Sequence, residues 1–234
     1  TSNNGYFMEI SNNLKKIRSK ITASEKKFLR ENNSVCLIAV SKTRKINEII
    51  SAIDENQHHF GENYCQEGVE KIKAITEPGI VWHFIGPVQS NKTKQIARYF
   101  DWVHTVDRLK IAHRLNELRP AEIPPLNVCI QVNTSGETTK SGITTDEIEG
   151  FINEISDYKR IKIRGLMSLP EIKLSLDEQR KSFSLLKNAF NQLRKSRPEL
   201  DTLSMGTTQD MEAAIAEGAT FVRIGTAIFG PRND

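Results

Sequence analysis

Eight short apolar runs alternate with longer polar segments of helical period, and that alternation constrains the fold more than any single motif does. A parallel sheet is buried on both faces, so its strands read as near-continuous Val, Ile and Leu runs. Each return to the next strand needs a crossover of a dozen or more residues. The runs are VCLIAV (35–40), HHFGE (58–62), VWHFIG (81–86), WVHTVD (102–107), NVCIQV (127–132), IKIRGLMSL (161–169), TLSMG (202–206) and TFVRIGTAIF (220–229). Helical segments such as 144–156 and 176–195 follow them, a further helix over about 8–31 precedes the first, and after the eighth the chain stops. Eight strands in strict alternation with helices is the count at which a parallel sheet closes on itself. The expected fold is α/β, a single TIM-type (β/α)8 barrel with an additional N-terminal helix. An open doubly wound sheet is the runner-up. The barrel is preferred because no GxGxxG follows the first run and the chemically notable residues spread over many strand ends.

The 234 residues suit one barrel domain, 8–234. Met8 resembles an initiator, so residues 1–7 are expected to be a leader or a foreign remnant. No apolar run approaches the roughly 20 residues of a membrane span. The formal charge of +4 comes from 33 basic and 29 acidic residues scattered along the chain, which argues against a nucleic-acid partner. Cys36, Cys65 and Cys129 are odd in number and form no CxxC pair, and no signal peptide is visible, so a reducing, cytoplasmic setting is expected. The adjacent His58 and His59 point to opposite faces of a strand, and no metal site is expected.

Lys42, in AVSKTRK, follows directly on the first apolar run, which puts its stem at the carboxyl end of a strand, the face on which barrel active sites are built. An amine beside an apolar interior, near Arg44 and Lys45, has a lowered pKa and can attack a carbonyl. The bland reading is a surface lysine at a loop start. In TLSMGTTQDMEAAI, a strand, a hydroxyl-bearing turn and a helix from near Gln209 offer Ser204, Thr207, Thr208 and backbone N–H groups to a phosphate. FVRIGTAIFG repeats the pattern with Gly225 and Thr226. Phosphate sites in barrels often form after strands seven and eight, where these turns fall. The alternative is that Ser204 and Thr208 are cap or turn residues and Gly225 a bulge.

Arg223 sits inside the eighth run and needs an acceptor, either a structural carboxylate or a ligand heteroatom. Were that heteroatom a pyridine nitrogen, the arginine would keep it unprotonated. GENYCQE places Glu62, Asn63 and Tyr64 on the same rim. His83, alone in an apolar run, reads first as a hydrogen-bonded core residue. Asn133, Lys140, Met167 and Ser168 complete the candidate mouth, although capping and packing explain them nearly as well.

Taken together, AVSKTRK, FGENYCQE, WHFIGPVQSNK, QVNTSGETTKSG, GLMSLP, LSMGTTQD and VRIGTAIFGPR resemble the YggS/PROSC family of pyridoxal phosphate homeostasis proteins, in the family's order and from about Leu14 to Arg232. The resemblance implies that Lys42 is the Schiff-base lysine for pyridoxal 5′-phosphate (PLP) and that Arg223 faces the pyridine nitrogen. It further implies that Thr208, Gly225 and Thr226 belong to the phosphate cup, with Asn63 beside the ring. One departure stands out: the family commonly reads SMGMS, whereas this chain has SMGTT at 204–208. Thr208 keeps a hydroxyl where the serine is expected.

The fold is similar to the barrel domain of alanine racemase and of bacterial-type ornithine decarboxylase. Those enzymes carry a further β-rich domain, whereas this chain ends at Asp234, and so no efficient catalysis is expected. The implied role is non-enzymatic PLP homeostasis: storage, buffering and delivery to apo forms of PLP-dependent enzymes, by a monomer or weak dimer. The alternatives are a PLP-dependent amino-acid racemase of broad specificity and a phosphosugar aldolase or isomerase that uses Lys42.

Overall fold

A computed structural model of the chain describes residues 2–232. The strands are β1 (Cys36–Val40), β2 (His59–Glu62), β3 (Val81–Phe84), β4 (Trp102–Val106), β5 (Leu126–Gln131), β6 (Ile161–Met167), β7 (Thr202–Ser204) and β8 (Phe221–Ile224). They pair in sequence order as a closed barrel, and every pair is parallel. β8 returns to β1 with Leu37 opposite Val222 and Ile38 opposite Arg223. The expected barrel is the observed one.

Side chains alternate across a strand, so each strand feeds two compartments. Leu37, Ala39, Val103, Val128, Leu203 and Val222 join the large apolar layer packed under the helices. Ile38, Trp102, Cys129, Met167 and Phe221 form a separate cluster inside the barrel. The interior is thus filled with side chains, and the openings lie at the strand ends.

Several sequence-based boundaries shift. The N-terminal helix α1 spans Ser2–Lys27, starting before Met8 and ending before Glu31. Ile10, Leu14, Ile17 and Ile21 recur at three- and four-residue spacing and are all buried, so one stripe of α1 packs on the barrel. Tyr6 donates to Glu48 Oε2 at 2.7 Å, so the segment set aside before Met8 is tied into the fold; Thr1 lies outside the described residues. β8 ends at Ile224, not Phe229, and the chain continues into the short helix α9 (Thr226–Phe229). Arg44 holds its end by donating to Phe229 O at 3.3 Å and Gly230 O at 2.5 Å. The helix expected from near Gln209 begins at Met211, because Asp210 first folds back on the preceding turn. Among the described residues, no helix is long and apolar enough to cross a membrane.

Candidate functional site

The period-two alternation that turns Ile38 inward carries on through Val40 to Lys42, just past the end of β1. The same parity takes Gly61 to Asn63 beyond β2 and Arg223 to Gly225 beyond β8. Lys42, Asn63, Arg223 and Gly225 line one cavity of about 350 Å³ at the carboxyl ends of the strands, with Thr208 and Thr226 at its mouth. Six of the seven sequence-predicted site residues therefore meet in one place.

Lys42 is half-buried, and burial lowers its pKa from 10.5, assisted by the positive charge of Arg232, which lines the same cavity. A larger fraction of neutral amine follows than an exposed lysine would have. The turn that carries it is held from below. Ser41 N–H donates to Gly61 O at 2.9 Å, and Thr43, in the left-handed region at φ 63°, donates its N–H to the Glu67 carboxylate. Glu67 lies in helix α3 (Cys65–Ala74) and is bonded by Lys71 Nζ at 3.0 Å, while the same ammonium donates to Ser41 O at 2.7 Å. Lys71 Nζ is also 2.6 Å from Glu62 Oε1, and the other Glu62 oxygen has no partner. Burial pushes the Glu62 carboxyl up to about 7 despite Lys71, because an unpaired buried oxygen disfavours the charged form.

Arg223 is buried and, among the described residues, has no carboxylate partner within salt-bridge distance; it donates to Ser204 Oγ at 2.6 Å and to Ser168 O at 3.0 Å. Burial lowers the guanidinium to about 10, countered by the Asp210 carboxylate, so it stays charged at neutral pH. Two buried polar atoms here lack partners, Asn63 Oδ1 on the cavity wall and Ser168 Oγ beside the arginine's anchor. Unpaired atoms of this kind are uncommon, and each leaves bonding capacity open to water or to a ligand.

Ser204 departs from expectation. Its side chain is fully buried, accepts from Arg223 and lies 2.7 Å from His104 Nδ1, so it belongs beneath the cavity and not to its wall. The reason is parity: as the last residue of β7 it points into the barrel core, and the accessible turn begins only at Thr207. There Thr207 donates its N–H and hydroxyl to Asp210 Oδ1, at 2.7 and 3.2 Å. Asn133 and Lys140 are used within their own loop, Asn133 donating to Glu137 O and Lys140 pairing with Glu137. Cys36 and Cys129 are raised by burial to about 11 and about 12, which leaves both as inert thiols. Sequence reasoning missed Arg232, His104 and the Glu62–Lys71 pair. Their separation along the chain gives no local signal.

Residues 9–233 match the family model described as alanine racemase, N-terminal domain. The pyridoxal phosphate homeostasis protein of Escherichia coli is 48% identical over 228 residues, which is 96% of this chain and 97% of that protein. The chain belongs to this family, on the branch of the pyridoxal phosphate homeostasis proteins. Among solved structures, PipY of Synechococcus elongatus PCC7942 with PLP bound superposes with a TM-score of 0.82 at 32% identity, covering 94% of this chain and all of PipY. Alanine racemase from Corynebacterium glutamicum, at 15% identity and TM-score 0.69, covers 95% of this chain and 60% of its own length, a likeness of fold alone.

Proposed function

We propose that this chain binds PLP and serves its homeostasis, holding the cofactor through Lys42. The observation that carries the reading is the meeting of Lys42, Arg223, Asn63, Gly225, Thr208 and Thr226 around one cavity of about 350 Å³. That donor set fits the cofactor: an amine of lowered pKa for its aldehyde, hydroxyls and turn amides for its phosphate, a guanidinium for its ring nitrogen and an unpaired amide oxygen beside the ring. When bound, PLP supplies an electrophilic carbonyl and an electron-withdrawing ring. The relatives' names and the PLP-bound relative support the same assignment.

The protein's own residues favour carriage over catalysis. The cavity lining, among the described residues, carries no carboxylate, imidazole, thiol or phenol. Among the described residues, Lys42 is thus the one wall group suited to proton exchange, and a racemase needs two such groups on opposite faces of the substrate. Arg223, a fixed donor, cannot protonate a ring nitrogen fully and so holds the ring as a weak electron sink. Storage and delivery to apo-enzymes in the cytoplasm follow as the role.

The test is direct. Protein loaded with PLP and reduced with borohydride should carry the cofactor on the Lys42 peptide, and Lys42→Ala should lose both the adduct and the visible absorbance. Trapping on another lysine, or none, overturns the proposal. Chiral analysis of alanine and serine incubated with loaded protein should show no racemisation above that of free PLP.

A further inference from the structure

Three histidines face the barrel interior from consecutive strands, His59 on β2, His83 on β3 and His104 on β4, and they are joined nitrogen to nitrogen. His59 Nδ1 lies 2.9 Å from His83 Nε2, and His83 Nδ1 lies 2.9 Å from His104 Nε2. His104 Nδ1 then meets Ser204 Oγ at 2.7 Å, the atom that accepts from Arg223 Nη1 at 2.6 Å. This line of five side chains crosses the barrel. At one end His59 borders an open recess of about 380 Å³ together with Cys36, at the starts of the strands; at the other, Arg223 borders the lysine cavity.

Such a line has a direction. His83 and His104 are fully buried, and burial holds both well below 6.5, so they are neutral. A neutral imidazole offers one donor and one acceptor, whereas a guanidinium only donates. Ser204 Oγ must therefore accept from Arg223, and its single proton needs an acceptor of its own. Among the described residues, His104 Nδ1 is the one other polar atom bonded to it. If His104 donated instead, the serine proton would be left in the core without an acceptor.

We infer that Arg223 imposes one direction on this chain, Ser204 donating to His104 Nδ1 and all three histidines carrying their proton on Nε2, and that the chain positions Arg223 for the cavity ligand. Each link passes the constraint on: His104 Nε2–H donates to His83 Nδ1, and His83 Nε2–H donates to His59 Nδ1. Arg223 then uses two of its five N–H donors on Ser204 and Ser168, and its remaining donors keep a fixed orientation. His83, His104 and Ser204 are positioning residues in this scheme, since none of them lines the cavity. The inference rests on the PLP reading for its ligand, but the tautomers do not depend on that reading.

Two measurements test it on the full chain. In PLP-free protein labelled with nitrogen-15, long-range proton–nitrogen spectra should show His59, His83 and His104 as Nε2–H tautomers at neutral pH. A His104 protonated on Nδ1 overturns the direction. Ser204→Ala removes the constraint, so His104 should then populate both tautomers, and an unchanged spectrum also overturns it. For the ligand, His104→Leu should weaken PLP binding by about tenfold, while His104→Asn, which keeps an acceptor facing Ser204, should stay within about threefold. Equal losses in the two variants, or none, overturn the positioning role. If His104→Leu does not fold, Ser204→Ala takes its place in the binding comparison, with a similar loss expected. Failure of borohydride trapping on Lys42 would strike the cofactor reading and leave the tautomer result standing.

Discussion

Lys42 owes its chemistry to two neighbours of different kinds, the apolar surroundings that desolvate its amine and the Arg232 cation that lines the same cavity. Both act in the same direction, because each makes the ammonium less favourable than the neutral amine. Capture of an aldehyde needs the neutral form, so the rate of PLP uptake should rise with pH and level off at a midpoint below 10.5. Arg232→Ala removes one of the two causes, and the midpoint should move upward while staying below 10.5. Stopped-flow absorbance of PLP binding across pH measures it, and a downward shift would contradict the charge argument. Asn63 is held on the wall in a different way: its oxygen is unpaired, and its backbone packs against Gly86 just after β3.

At the scale of elements, the site is a set of strand ends whose turns are braced from outside the cavity. The Lys42 turn depends on α3, which sends Glu67 to the Thr43 N–H and Lys71 to Ser41 O. The Asn63 turn depends on close approach of the segment after β3. A Cβ built on Gly86 would lie 2.2 Å from Asn63 O and 2.8 Å from its Cα, so both backbones must separate to admit one. Gly86→Ala should cost roughly 2 kcal/mol of stability and weaken PLP binding as Asn63 leaves the wall. Urea denaturation and a PLP titration read the two effects; retention of both would show that the turns move apart freely. The turns after β7 and β8 illustrate a different limit. Both were legible as hydroxyl-bearing turns, yet the strands stop earlier than their apolar runs suggest, at Ser204 and Ile224. An apolar residue past a strand end packs equally well from a helix, which is what Ile228 and Phe229 do from α9.

For the molecule as a whole, the buried Glu62–Lys71 pair links stability to pH. Burial raises Glu62 from 4.5 to about 7, so the native state binds this proton more tightly than the unfolded chain does. Between those values the unfolded chain holds fewer protons, and the stability due to this group is full below about 4.5 and falls as pH rises through about 7. Glu62→Gln should remove that slope. Urea midpoints at about pH 5 and about pH 7 measure it: the parent should lose more stability across the interval than the variant. A parent and variant with parallel profiles would place the Glu62 carboxyl at an ordinary value.

Sequence alone determined what local periodicity can encode. Buried parallel strands must read as apolar runs, crossovers must carry a helical period, and eight repeats of that pair close a barrel. Counting by twos from the inward Ile38 and Arg223 even places Lys42 and Gly225 over the interior, because a strand's side chains alternate whatever surrounds them. Tertiary structure alone decided which distant residues meet. The three-histidine line needs β2, β3 and β4 in one register, and Ser204 becomes an anchor for Arg223 only once β7 lies beside β8. Those distances depend on strand stagger, and stagger comes from packing the whole closed sheet rather than from any one segment of it.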